Sequence, residues 1–341
     1  MSDIAVTQKK QRIAWVDIAK GITILTVIWS HSLPMSSLPR NLIFCFHMPL
    51  FFILSGFTLK PAKDIKDLIA RTKKDFVRLI VPVILITIAT SILLGGPSVS
   101  TEIHNIFYKL FWANAIPFED GLPCLGMPWF LVALFISKLL LRILSLLFKK
   151  DSELIAILCG LVGMMLGLKH IWLPFNFDMA LVCMIFVAGG MLTHKHIATL
   201  SKYRVPIFIA SALFVYYMLL QGRHIEFASH AYDLATIIEG FAASFIVCIV
   251  CNSASSIKLV HKVFCFIGVN TMPIFLTHHL DGCYSFLFKN GNQYIECILR
   301  TFYVLLIAWT FTFAFRLAAK VVRNNCKKRR DSERATSGRS F

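Results

Sequence analysis

Asp17, Lys20 and His31 lie in the first apolar stretch of the chain, Ile13 to His31, at relative positions i, i+3 and i+14. On a helix turning about 100° per residue they fall within a stripe roughly 60° wide. Ile24 and Ile28 lie between them on the same face. An acid and an amine thus sit at one end of a membrane-length helix and an imidazole at the other. A rise of 1.5 Å per residue separates Lys20 from His31 by about 16 Å. An imidazole titrates near neutrality and can take a proton from a reacting group. Ionisable groups on a membrane helix face a protein interior or a wet cavity, so the stripe is a site or its wall.

The rest of the chain must supply the bundle that holds this stripe. Of its 341 residues, 57% are hydrophobic and only 16% charged, and the mean hydropathy is +0.70. That composition excludes an ordinary soluble domain and predicts an all-α integral membrane protein. Ten membrane stretches can be marked, at 13–32, 41–60, 77–96, 126–148, 154–172, 175–193, 205–221, 233–252, 264–288 and 295–318. The expected fold is a bundle of about ten transmembrane helices. The first run is long and lacks a small-residue cleavage site, so it reads as a retained span.

Basic residues give the orientation. The termini and even-numbered connections hold 25 Lys and Arg, whereas the odd-numbered connections hold five: Arg40, Lys109, Lys169, Arg223 and Lys289. This asymmetry predicts that both termini are cytoplasmic. The net charge of +17 is then mostly topology, and Lys327 to Arg330 reads as an anchor on anionic membrane lipid rather than a nucleic-acid contact. Residues 1–320 read as one ten-span domain, and 321–341 as a basic, disordered cytoplasmic tail. Residues 97–125 predict a short interfacial helix around Ile103–Ala115. Gly163 and Gly167 predict close helix packing. Cys248 and Cys251 have CxxC spacing inside a span without partner ligands, so no metal site is expected. No nucleotide-binding motif is present.

Other polar residues fall at defined depths. His47, Trp129 and His278 lie in the half of the membrane that holds His31, while Arg71 and Arg78 lie at the same cytoplasmic end as Asp17 and Lys20. Asp178 and Glu239 read as carboxylates near the interface. Lys138 and Arg142 read as side chains snorkelling to the cytoplasmic border. Thr23, Thr26 and Ser30 are expected to bond back to their own helix.

Several segments resemble the acyltransferase-3 family of membrane-bound O-acyltransferases, especially its fucose 4-O-acetylase-like branch. They are Asp17-Ile-Ala-Lys20-Gly21 followed by His31; Phe46-His47-Met48-Pro49 through Ser55-Gly56-Phe57; Arg78-Leu-Ile-Val-Pro82; Pro128-Trp129-Phe130-Leu131; and Gly268-Val-Asn-Thr271 leading to His278. The resemblance implies transfer of an acetyl or other acyl group from acetyl-coenzyme A, a co-substrate rather than a bound cofactor. The acceptor it implies is a hydroxyl of a cell-envelope or surface-polysaccharide sugar, or its lipid-linked glycan precursor, at a bacterial inner (plasma) membrane. His31 is then the general base or the nucleophile, with Asp17 and Lys20 completing the catalytic stripe. Lys20, Arg71, Lys74 and Arg78 bind the donor's phosphates, with its arm running past Ile24 and Ile28. His47, Ser55, Trp129 and His278 shape the pocket.

Two departures stand out: Lys20 and Asp75 occupy positions where the family often has arginine or another basic residue. Lysine is a point charge without the planar fork of arginine, and Lys74 is the neighbour placed to compensate. A transporter or permease for a glycan precursor or small solute is the alternative class. The lack of an internal repeat and of paired broken helices argues against it.

Overall fold

Fourteen α-helices build the chain in a computed structural model that describes residues 12–34, 37–96, 98–118, 121–280, 287 and 291–337. The protein is 80% helical, with no strand among the described residues. The helices are α1 (Ala14–Ser30), α2 (Leu38–Phe57), α3 (Ile65–Asp75), α4 (Val81–Leu94), α5 (Val99–Trp112), α6 (Trp129–Phe148) and α7 (Ser152–Leu168). They continue with α8 (Phe177–Lys195), α9 (Ile197–Lys202), α10 (Arg204–Leu220), α11 (Leu234–Ala254), α12 (Lys258–Val269), α13 (Thr271–His279) and α14 (Gln293–Ser337).

Six of the described segments are long and apolar enough to cross a membrane: Leu38–Phe57, Ile65–Leu94, Trp129–Leu168, Pro174–Lys195, Leu234–Ala254 and Gln293–Ala314. The difference from ten has physical causes. Helices α1 and α10 have 17 residues each, about 26 Å, just under a hydrocarbon core of about 30 Å. Trp129–Leu168 holds two helices that pack against each other across a 3₁₀ turn at Lys149–Asp151. The stretch marked at 264–288 breaks at Asn270, between α12 and α13. Glu119, Asp120, Lys289 and residues 338–341 lie outside the described residues. The short helix expected around 103–115 forms as α5, Val99–Trp112.

Two compact units divide the chain, Met1–Thr271 and Met272–Phe341. In the second, α14 continues as helix to Ser337, through the basic stretch that composition marks as a tail. The first holds α1 to α12 and every candidate site residue except His278.

Within the first unit, α2, α8 and α11 run in one direction. Cys45 meets Glu239 near the starts of α2 and α11, and Phe57 meets His194 near the ends of α2 and α8. Helix α1 runs the other way, so Trp15 at its start packs on Phe57, with ring centroids 5.0 Å apart. His31 therefore shares an end of the bundle with the starts of α2, α8 and α11. A cluster of Val16, Ile18, Ala19, Leu50, Leu54, Phe57 and Cys251 fills the opposite end.

Glycines let two helix pairs approach backbone to backbone. A methyl group on Gly56 would run into the Val187 carbonyl, and one on Gly190 into the Ile53 carbonyl, so α2 and α8 touch directly. Gly21 and Gly268 do the same for α1 and α12, against the Phe264 and Asp17 carbonyls. Gly163 packs on Leu181 and Asp178 of α8, as expected, and Gly167 on the Tyr232 ring.

A π-turn spans Phe76–Ile80 between α3 and α4. Pro82 follows it; proline has no N–H and its ring clashes with the carbonyl four residues back, so the helical ladder widens there. The Val81 N–H bonds to the Phe76 carbonyl instead.

Candidate active site

His31 caps the C-terminus of α1 with φ −86° and ψ −5°, and it is exposed. Ile24 and Ile28 on its face are 1% and 0% exposed, so the stripe faces the protein interior and its middle is closed by packing. The hydroxyls of Thr23, Thr26 and Ser30 bond back to the carbonyls of Ala19, Thr23 and Val27, as expected.

His47 is buried on α2, its Nδ1 2.9 Å from the Ile43 carbonyl oxygen. A carbonyl can only accept, so Nδ1 carries the proton and Nε2 carries a lone pair. The Phe44 ring meets His47 and His224 edge-on at 4.8 and 5.7 Å, and the Arg40 guanidinium lies 4.1 Å above the same ring. Glu239, on the adjacent α11, is wholly buried and accepts a hydrogen bond from Cys45 Sγ at 3.2 Å. Its Oε2 and the His224 Nδ1 are buried without a hydrogen-bond partner among the described residues.

The loop 221–233 brings His224 here. It reads as an ordinary polar connection in the sequence, yet Ile225, Phe227, His230 and Tyr232 are all buried. Phe227 wedges between Phe52, Trp129 and Phe186, with centroid distances of 6.1, 6.0 and 5.9 Å. Trp129 thus packs against this loop through Phe227. Glu226 and Ala231 exchange two backbone hydrogen bonds of 3.0 Å, and His230 adopts a left-handed φ of 56° to close the turn. Burial holds the His224 imidazole below its ordinary value of 6.5; the nearby Glu226 carboxylate opposes this and Arg40 reinforces it.

Asp178 anchors the loop. Its Oδ2 lies 3.1 Å from His230 Nε2 with both side chains at 0% exposure, and its Oδ1 accepts the Leu173 N–H at 3.0 Å. Trp172 stacks on the His230 ring at 4.1 Å. Asp178 and Glu239, read from sequence as carboxylates near the interface, are both buried within the protein. A carboxylate that starts a span, and a histidine in a loop that looks polar, give no periodic signal of such a contact.

At the opposite end, Asp17 lies 3.9 Å from Arg12. Arg71 pairs with Asp67 at 2.7 Å on α3, and Lys74 and Arg78 are exposed. Lys138 and Arg142 do not snorkel outward. They turn onto Asp75 at 2.8 and 2.7 Å, all three largely buried, and so leave no unpaired charge there, which would be costly. Asp75, read from sequence as a departure, is the anion that gathers two cations from α6. Ser55 sits eight residues beyond His47, about 12 Å further along α2. His278 is buried on α13, in the second unit.

An apolar bundle with several helices long enough to cross a membrane is a multi-pass membrane protein. A family model described as an acyltransferase domain matches residues 13–319, and the chain belongs to this acyltransferase-3 family. No curated protein matches the chain, and no solved structure does. Family membership makes the protein an acyltransferase with membrane helices.

Proposed function

We propose that this chain is an integral-membrane O-acyltransferase of a bacterial inner membrane, with about ten crossings and both termini cytoplasmic. It takes acetyl from acetyl-coenzyme A at the Asp17 end and delivers it to a hydroxyl of a cell-envelope sugar at the His31 end. The observation that carries this reading is the α1 stripe, whose Asp17 and Lys20 stand one membrane half away from His31. Lys20, Arg71, Lys74 and Arg78 meet the donor's phosphates, and charge-assisted contacts of this type are the strong ones. The buried, unmet His224 Nδ1 and Glu239 Oε2 are groups that sugar hydroxyls can satisfy.

In the reaction, the acceptor oxygen attacks the thioester carbonyl while its proton passes to the His31 imidazole. The C–S bond breaks, and the coenzyme thiolate leaves and recovers the proton. In the two-step variant, His31 takes the acetyl group first and the acceptor hydroxyl removes it. Ile24 and Ile28 fill the space between the two ends, so the α1 face opens during transfer.

Purified protein incubated with labelled acetyl-coenzyme A and a sugar acceptor tests the reading. Release of free coenzyme A with label on the sugar is the expected result. Label carried across a proteoliposome membrane without release of coenzyme A overturns it.

A further inference from the structure

A groove of about 560 Å³ opens between α10 and α11, away from the site, within the range of about 300–1,000 Å³ typical of small-molecule sites. Val205, Phe208, Ile249 and Val250 form its apolar walls, and Arg204 stands at its mouth. Val205 and Val250 are 60% and 49% exposed, so the groove faces outward from the bundle. It lies where α10 begins and α11 ends. On the other face of α11, Val247, Cys248 and Cys251 pack with Val16, Leu54 and Phe57 at the basic end of the bundle.

Charge identifies the occupant. Residues 196–222 contain Lys202 and Arg204 and no Asp or Glu; residues 240–280 contain Lys258 and Lys262 and again no acid. Of the helices that build this mouth, α10 carries no carboxylate and α11 only Glu239, at its opposite end beside Cys45. Exposed Tyr203 precedes Arg204, with the Lys202 ammonium 5.7 Å from its ring. This aromatic–basic pair is suited to headgroup level. An apolar slot ending in an unneutralised basic rim fits a molecule with a long hydrocarbon chain and a negative head.

We propose that the groove binds one anionic phospholipid, its phosphate on Arg204 between Lys202 and Lys258 and one acyl chain along Phe208 and Ile249. The site is independent of the transfer chemistry.

Native mass spectrometry of the full-length chain in neutral detergent, titrated with phosphatidylglycerol or phosphatidylcholine, tests it. The expected result is one preferentially retained phosphatidylglycerol. Arg204→Gln weakens its binding about fivefold, the factor for one basic contact, and leaves phosphatidylcholine unchanged. Ser253→Trp, an exposed position lining the groove, removes the retained lipid. Equal retention of both lipids, or a phosphatidylglycerol adduct insensitive to both variants, overturns the proposal. Coenzyme A release measured on the same samples keeps the two readings apart: lipid retained without transfer removes only the enzyme reading, and transfer without lipid selectivity removes only this site.

Discussion

Asp178 and His230 stand 52 positions apart in the chain, yet their side chains meet at 3.1 Å, sealed from solvent. This contact fixes the loop 221–233 to the start of α8 and thereby sets where His224 and Phe227 project. Removing one partner leaves the other polar group buried and unmet, which typically costs about 1–3 kcal/mol. Asp178→Ala should therefore lower thermal stability sharply and open the loop to protease. Asp178→Asn keeps the acceptor for the Leu173 N–H and should lose less. Equal stability of wild type and Asp178→Ala in detergent would show that the contact does not hold the loop.

The imidazole of His31 is the residue on which the proposed chemistry turns. His31→Gln keeps polar hydrogen-bonding capacity but cannot shuttle a proton near neutrality. Loss of a positioned general base typically slows a reaction by about 10²–10⁴. Transfer to the sugar should fall by that factor, with donor binding and membrane expression intact. Near-normal turnover would move the assignment to His47, whose Nε2 lone pair makes it the next base available.

Backbone contact between α2 and α8 leaves no room for a side chain at Gly56. Gly56→Ala should destabilise the bundle by about 1–3 kcal/mol, the usual range for over-packing. Unfolding followed by circular dichroism reads this directly. A wild-type melting curve for the variant would mean the helices separate cheaply.

His224 gives a pH dependence with a defined sign. Its folded value is depressed below 6.5 by burial, so below that pH the unfolded chain binds protons more readily than the folded one. Stability contributed by the neutral imidazole is present above about pH 7 and falls as pH drops through 6.5. Melting temperatures between pH 5 and 7.5 should show a shallower slope in His224→Gln than in wild type. Superimposable slopes would show that this burial is not felt.

Helices and their polar ends were legible in the sequence because long apolar runs and the 3.6-residue period encode them locally. Asp17, Lys20 and His31 on one face, and the buried Ile24 and Ile28 between them, follow from spacing alone. The partners of Asp75 and Asp178 do not. Lys138 and Arg142 have the spacing of ordinary snorkelling residues until α3 is placed beside α6. Phe227 sits in a connection whose polar neighbours hide its burial. The boundary at Thr271 leaves no mark in composition.

The paired glycines also restrict how the protein can move. Where two backbones touch, as α1 does α12 at Gly21 and Gly268, neither helix can roll without driving a carbonyl into its neighbour. Such seams permit sliding along their length and resist rotation. On the transfer path proposed above, access past Ile24 then comes from a shear of α1 along α12, its travel set by the length of the glycine contact.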